Sequence, residues 1–213
     1  MAGSLTRDAF SGPPLPPIEG GWDDGGGNPE GRGSYRGASF TGLFVLLAAT
    51  TMLFAAFTSA MVVRRGMSGD WISTHKPPIL WLNTAVLLGS STALELARRA
   101  LRARARTRFN VWWTIGTGLG VAFLAGQAIA WVEMHAAGVF LSTNPSSAFF
   151  YILTAAHAAH LLGGLAALIY VDNQALRLRL GPAKRTAIDV STLFWHFLDL
   201  LWLYLMLLFF VWG

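Results

Sequence analysis

The sequence predicts an all-α polytopic membrane helix bundle with five transmembrane helices and a disordered N-terminal tail. Two observations carry that reading. Of 213 residues, 54% are hydrophobic and only 13% are charged, against about 25% charged in soluble domains, so polar surface is too scarce to cover a compact body in water. The apolar residues also gather into five stretches, each long enough for the roughly 20 residues that a bilayer requires. With no Cys in the chain, disulfides, thiolate nucleophiles and thiolate-bound metals are excluded. The net charge of +5 reads as juxtamembrane Arg and Lys, which belong to topology and lipid headgroups rather than to nucleic acid.

Residues Met1 to about Arg36 form a Pro- and Gly-rich tail, SGPPLPPIEGGWDDGGGNPEGRG, without apolar periodicity. It cannot bury enough surface to offset the ordering of its backbone, so residues 1–36 are expected to be a disordered cytoplasmic tail ahead of a five-helix domain over 37–213. It has no basic start followed by an apolar run, so it is not a secretory signal, and the later helices drive insertion. Helix 1 lies in the uncharged interval between Arg36 and Arg64. Helix 2 begins at Pro77 and Pro78, acceptable in a first turn whose amides lack partners anyway, and continues through PPILWLNTAVLLGSSTALELA. Helix 3 is expected from about Asn110 to Val132, helix 4 from Ala148 to Val171 and helix 5 from Ala187 to Trp212. The turn-forming LSTNPSS separates helices 3 and 4.

Orientation follows from the cations. Six Arg lie from Arg98 to Arg108 in the expected loop between helices 2 and 3, and Arg177, Arg179, Lys184 and Arg185 lie between helices 4 and 5. Counting the tail, the distribution is 13 to 3, which puts the N-terminus in the cytoplasm and the C-terminus outside. Trp71, Trp81, Trp112, Trp113 and Trp212 fall near the expected helix ends, suited to the headgroup level.

Polar groups inside a span cost a few kcal/mol or more unless partnered, so they mark function or packing. His157 and His160 share one face of helix 4, and His196 and Asp199 share one of helix 5, by their three-residue spacing. With antiparallel helices, His160 and Asp199 both stand roughly 16 Å above the cytoplasmic end. A hydrogen bond between them is expected, with His157 and His196 in the same seam. Four uses remain open: a metal or haem site on His157, His160 and His196, a proton relay, a lipid or partner contact, or a structural network. A closed metal site needs three or four ligands, and a relay needs acids at more than one depth, which favours the network. Asn83 and Gln127 sit near the outer ends of helices 2 and 3, placed either to hydrogen-bond across the helices or to cap a loop, with packing as the favoured role. Gly116, Gly118 and Gly120, with Gly163 and Gly164, read as close helix contacts rather than a nucleotide loop, having no preceding strand. No catalytic constellation appears, so the chain is not expected to be catalytic alone.

FFYILTAAHAAHLLGG (Phe149 to Gly164) and FWHFLDLLWLYL (Phe194 to Leu205) resemble the last two helices of subunit III of haem–copper cytochrome oxidases, with motifs FFxxTGxHGxHVxxG and YWHFVDxVWxxL. LNTAVLLGSSTALELA (Leu82 to Ala97) is similar to the family's LNTxxLLxSSxT helix, and the Gln127 region to its QxxEW helix. The resemblance runs from about Ser39 to the end and corresponds to the short, five-helix bacterial forms. It places His157, His160, Trp195, His196, Asp199, Trp202, Asn83 and Thr84 at motif positions, with Asp189 standing for the family's Glu. The chain departs from the motifs at Ala156, Ala159 and Ala130, and Thr50 stands where the family has a buried Glu.

What the resemblance implies is a non-catalytic subunit of a terminal respiratory oxidase in the bacterial cell membrane. Haem and copper would sit in a partner, catalytic subunit I, with subunit II also present. Bound phospholipid, support of proton uptake and sustained turnover are implied too. The alternatives are an independent haem- or metal-binding membrane protein using the three His, and an accessory subunit of a nitric oxide reductase.

Overall fold

The computed structural model describes residues 29–67, 78–138, 144–176 and 182–212. The rest of the expected tail, His75, Trp71 and the other loop residues lie outside that range, as does the side chain of Trp212. Five helices follow one another: α1 Pro29–Met67, α2 Ile79–Arg102, α3 Arg106–Ala136, α4 Pro145–Leu176 and α5 Pro182–Trp212. All five are long and apolar enough to cross a membrane.

The helices overrun the expected bounds by several residues, because a span needs only its middle in hydrocarbon. Helix α1 starts at Pro29, ahead of Arg36, and proline also opens α4 and α5, where its missing N–H is no loss. At the start of α4 the turn signal becomes a cap: Asn144 Oδ1 accepts from the Ser147 amide at 2.9 Å, and the Ser147 hydroxyl donates back to the Asn144 carbonyl at 2.8 Å.

The Arg-rich segment expected to be a loop is mostly helix. Its Ala, Leu and Arg residues are good helix formers, so α2 runs on to Arg102 and only Ala103 to Ala105 turn the chain. Arg104 takes φ 58° there, the left-handed conformation that closes the tight α2–α3 hairpin. The Ala103 and Ala105 amides donate to the carbonyls of Arg99 and Ala100 as they pass.

Helices α2, α3, α4 and α5 pack in sequence, and α5 returns against α2 to close a four-helix ring. Helix α1 lies outside the ring on α4 and α5 and does not pack on α2. Much of α1 therefore presents apolar side chains such as Phe44, Met52 and Val63 outward. Trp113, Trp195 and Trp202 are fully buried in the ring.

Trp113 is a correction, since its indole does not face the surrounding membrane. It points inward and donates to the Leu168 carbonyl at 3.1 Å, whereas Trp81 and Trp112 do face outward.

Candidate functional site

Small residues let the ring close. A Cβ on Gly120 would come within 2.8 Å of the Trp195 indole, and one on Gly116 within 2.8 Å of the Leu94 side chain. Glycine permits these approaches. Ser90 donates across the α2–α3 contact to the Gly116 carbonyl at 2.7 Å.

Toward the ends of the helices away from the Arg-rich hairpin, Trp202 of α5 donates from Nε1 to Thr84 Oγ1 of α2 at 3.0 Å. Thr84 in turn donates to the Leu80 carbonyl at 2.8 Å. His157 of α4 stacks on Trp202, with ring centroids 5.2 Å apart and planes at 28°, and stands edge-on to Phe123 of α3 at 6.2 Å. Beside this layer, Trp131 Nε1 of α3 donates to Thr154 Oγ1 of α4 at 3.2 Å.

Closer to the Arg-rich end, His196 of α5 shares a hydrogen bond through Nδ1 with the Ser91 hydroxyl of α2. The same ring nitrogen lies 3.9 Å from Asp199 Oδ2. The imidazole remains 31% exposed, while the Asp199 side chain is 6% exposed.

The expected His160–Asp199 hydrogen bond does not form. The depth was right: His157 meets Trp202 and Gly164 faces Trp195, so stepping along antiparallel α4 and α5 brings His160 level with Asp199. The faces are wrong. Three helical residues turn by about 300°, so once His157 and Trp202 meet, His160 and Asp199 are each swung aside, His160 to α1 and Asp199 toward α2. His160 donates from Nδ1 to the Ala156 carbonyl of its own helix at 2.7 Å and sits edge-on to Phe54 of α1 at 5.8 Å.

The single seam of four mutually satisfied groups is corrected with it. Both His157 nitrogens and both Asp199 oxygens lack hydrogen-bond partners, as does Trp195 Nε1. Asn83 and Gln127 also fail to bond across α2 and α3. The Asn83 amide is pressed so close to Gly126 that a Cβ there would stand 2.0 Å from its Oδ1. Asn83 Nδ2 and both amide atoms of Gln127 are buried without partners. Tight backbone approach left these side chains no room to turn toward one another.

Asp189 gains a clear contact: its Oδ1 is 3.4 Å from Arg98 Nη2, and Arg98 also reaches Glu95 at 3.3 Å. Among the described residues no three of His, Asp and Glu converge as metal ligands would. His157, His160 and His196 face three different surroundings.

Sequence reasoning missed Ser91, Trp131, Thr154 and the Tyr204 hydroxyl, which donates to Thr58 of α1 at 3.0 Å. One signal could have found Ser91: it lies seven residues after Thr84, as Trp202 lies seven after Trp195, so each pair marks one helix face.

The fold thus defines a polytopic α-helical membrane bundle of five helices. The family model described as "Cytochrome c oxidase subunit III" matches residues 35–213. Among similar proteins is a probable cytochrome c oxidase subunit 3 of Nocardia farcinica, 29% identical over 168 residues, which covers 76% of this chain and 82% of that one. Another is the cytochrome c oxidase subunit 3 of Thermostichus vulcanus, 26% identical over 174 residues, covering 80% and 85%. That of Synechocystis is 25% identical over 189 residues, covering 85% and 79%. The chain belongs to the cytochrome c oxidase subunit III family.

Proposed function

We propose that this chain is the non-catalytic third subunit of a haem–copper respiratory oxidase, packing against catalytic subunit I with subunit II in the same complex. In this reading haem and copper reside in the partners. The chain stabilises the assembled enzyme, carries bound phospholipid and supports proton uptake during sustained turnover in aerobic electron transport. The observation that carries it is the match over residues 35–213 together with the role of its motif residues. Trp195 fills the space between Gly120 and Gly164, Trp202 ties α5 to Thr84, and His157 caps that indole. His196 joins α5 to Ser91 of α2 and Asp189 anchors Arg98 at the Arg-rich end. The metal- or haem-binding alternative has no observation in its favour, because its three His do not face one another.

The domain comprises residues 37–213 behind a cytoplasmic tail, with the Arg-rich end of the bundle inside and the C-terminus outside the bacterial cell membrane. A tagged chain recovered from native membranes should bring down a larger haem-bearing polypeptide in fixed ratio. Recovery of the chain by itself from fully solubilised, active membranes would contradict the proposal. Enzyme fusions at the C-terminus, active only when exported, test the orientation: activity supports it, and silence with a correctly inserted chain reverses it.

A further inference from the structure

At the Arg-rich end of the bundle α1 packs on α5 but not on α2, and a cleft of about 390 Å³ opens there. Arg98 and Arg102 from the end of α2 and Arg185 from the start of α5 line it, with Asp189 as its acid and Phe40 of α1 and Leu101 among its apolar residues. Asp189 is engaged by Arg98. Arg102 and Arg185 are exposed and make no ion pair among the described residues. The cleft thus joins a surplus of positive charge to apolar surface. Because Phe40 of α1 is part of its wall, the chain ahead of α1 leaves from this same end. That chain, residues 1–28, contains the run IEGGWDD from Ile18 to Asp24, with three acids, no cation and two large apolar side chains.

We propose that the acidic run of this chain's own N-terminal tail docks over the mouth of the cleft, with Glu19, Asp23 and Asp24 meeting Arg102 and Arg185 and Trp22 packing toward Phe40 and Leu101. Reach permits it. From Phe40 back to Pro29 the helix rises roughly 16 Å. An extended chain covers at most roughly 17 Å from Pro29 to Asp24 and roughly 34 Å to Glu19, so the tail can fold back to the level of the cations. Carboxylate suits guanidinium because its two oxygens accept paired N–H bonds. Exposed ion pairs are individually weak, but a tethered segment meets its site at an effective concentration in the millimolar range. Seated there, the tail bridges α1 to the end of α2, the contact that the helices themselves do not make. The inference concerns this chain alone and does not rest on the subunit reading.

Since the chain has no Cys, spin labels on Gly25→Cys and Ala103→Cys report the distance from tail to hairpin in the full chain, held in phosphatidylcholine nanodiscs. Pulsed dipolar spectroscopy should give a narrow, short distance. In R102Q/R185Q the ratio of docked to released tail should fall by about fivefold or more, as expected for the loss of two surface pairs. R104Q/R106Q removes equal charge outside the cleft and should leave the distance unchanged. A broad distribution in the parent chain, or equal release by both Arg pairs, overturns the docking. Should R102Q/R185Q fail to fold, D23N/D24N decides, because those residues lie ahead of α1: release supports the docking, and an unchanged narrow distance overturns it. Loss of the narrow distance when phosphatidylglycerol is added to the discs gives the cleft to anionic headgroups in a bacterial membrane and overturns the tail as its occupant. In the oxidase recovered from membranes, a crosslink from the tail to another subunit in place of Ala103 also overturns it. Failure to recover an oxidase partner would sink the subunit reading and leave the nanodisc result standing.

Discussion

Gly120 offers a quantitative test of how the ring is closed. In Gly120→Ala the new methyl would stand 2.8 Å from two atoms of the Trp195 indole, and the surfaces would have to part by roughly 0.7 Å to reach ordinary carbon–carbon contact. The indole cannot yield easily. It is fully buried, and on its other side a Cβ at Gly164 would already lie 3.3 Å away. Overpacking of this kind costs about 1–3 kcal/mol, which is about a thirtyfold change in the folding equilibrium at the middle of that range. Gly118 is two residues away in the same helix, and a Cβ there meets nothing within 4 Å. Since Gly118→Ala carries the same change in backbone propensity, the difference between the two variants isolates the clash. Unfolding of the purified chain in mixed micelles, followed by Trp fluorescence, should rank the variants Gly118→Ala, Gly164→Ala, Gly120→Ala in increasing loss of stability. Trp195→Phe should relieve much of the Gly120→Ala penalty when the two are combined. Equal midpoints for Gly118→Ala and Gly120→Ala, or an undiminished penalty in the Trp195→Phe background, would refute the reasoning.

Thr84→Val and Trp202→Phe should each lower stability by about 0.5–1.5 kcal/mol, and a double-mutant cycle should show strong coupling between them; additive losses would mean that the 3.0 Å hydrogen bond contributes nothing. Asp199→Asn should leave the stability of the isolated chain unchanged or raise it, because its contact to His196 is long at 3.9 Å, neither carboxylate oxygen accepts a hydrogen bond and desolvating a poorly compensated acid is unfavourable. A loss of about 2 kcal/mol or more, measured in the same micelle titration, would show instead that the carboxylate holds the helices. Asp189→Asn should change stability by no more than about 1 kcal/mol, since the Arg98 pair is partly exposed and screened; thermal midpoints in low and high salt check both the size and the screening.

The fold was readable because uncharged runs of sufficient length have one stable form in hydrocarbon, and the Arg clusters and LSTNPSS separate them. Helix ends were less readable. Nothing in Arg98 to Arg108 distinguishes a solvated helix from a loop until the hairpin closes through Arg104. The depth of His160 against Asp199 came out correctly from rise per residue alone, while the rotation of each helix did not. Rotation is set by bulk, with Trp195 taking the glycine-lined side of the ring between Gly120 and Gly164 and Trp202 packing on Phe123 and His157, and the smaller polar residues take whatever direction remains. For the same reason Asn83 and Gln127, legible as polar residues in a span, could not be paired correctly without knowing how closely Gly126 brings α2 and α3 together.

The claim beneath the whole account is that the histidines of this bundle serve its packing and hold no prosthetic group. The visible absorption spectrum of the chain, purified free of other polypeptides and compared with that of the intact oxidase, addresses it most directly. Haem bands should accompany the complex and be absent from the separated chain. A stoichiometric Soret band in the separated chain, abolished by replacing His157, His160 and His196, would contradict the account.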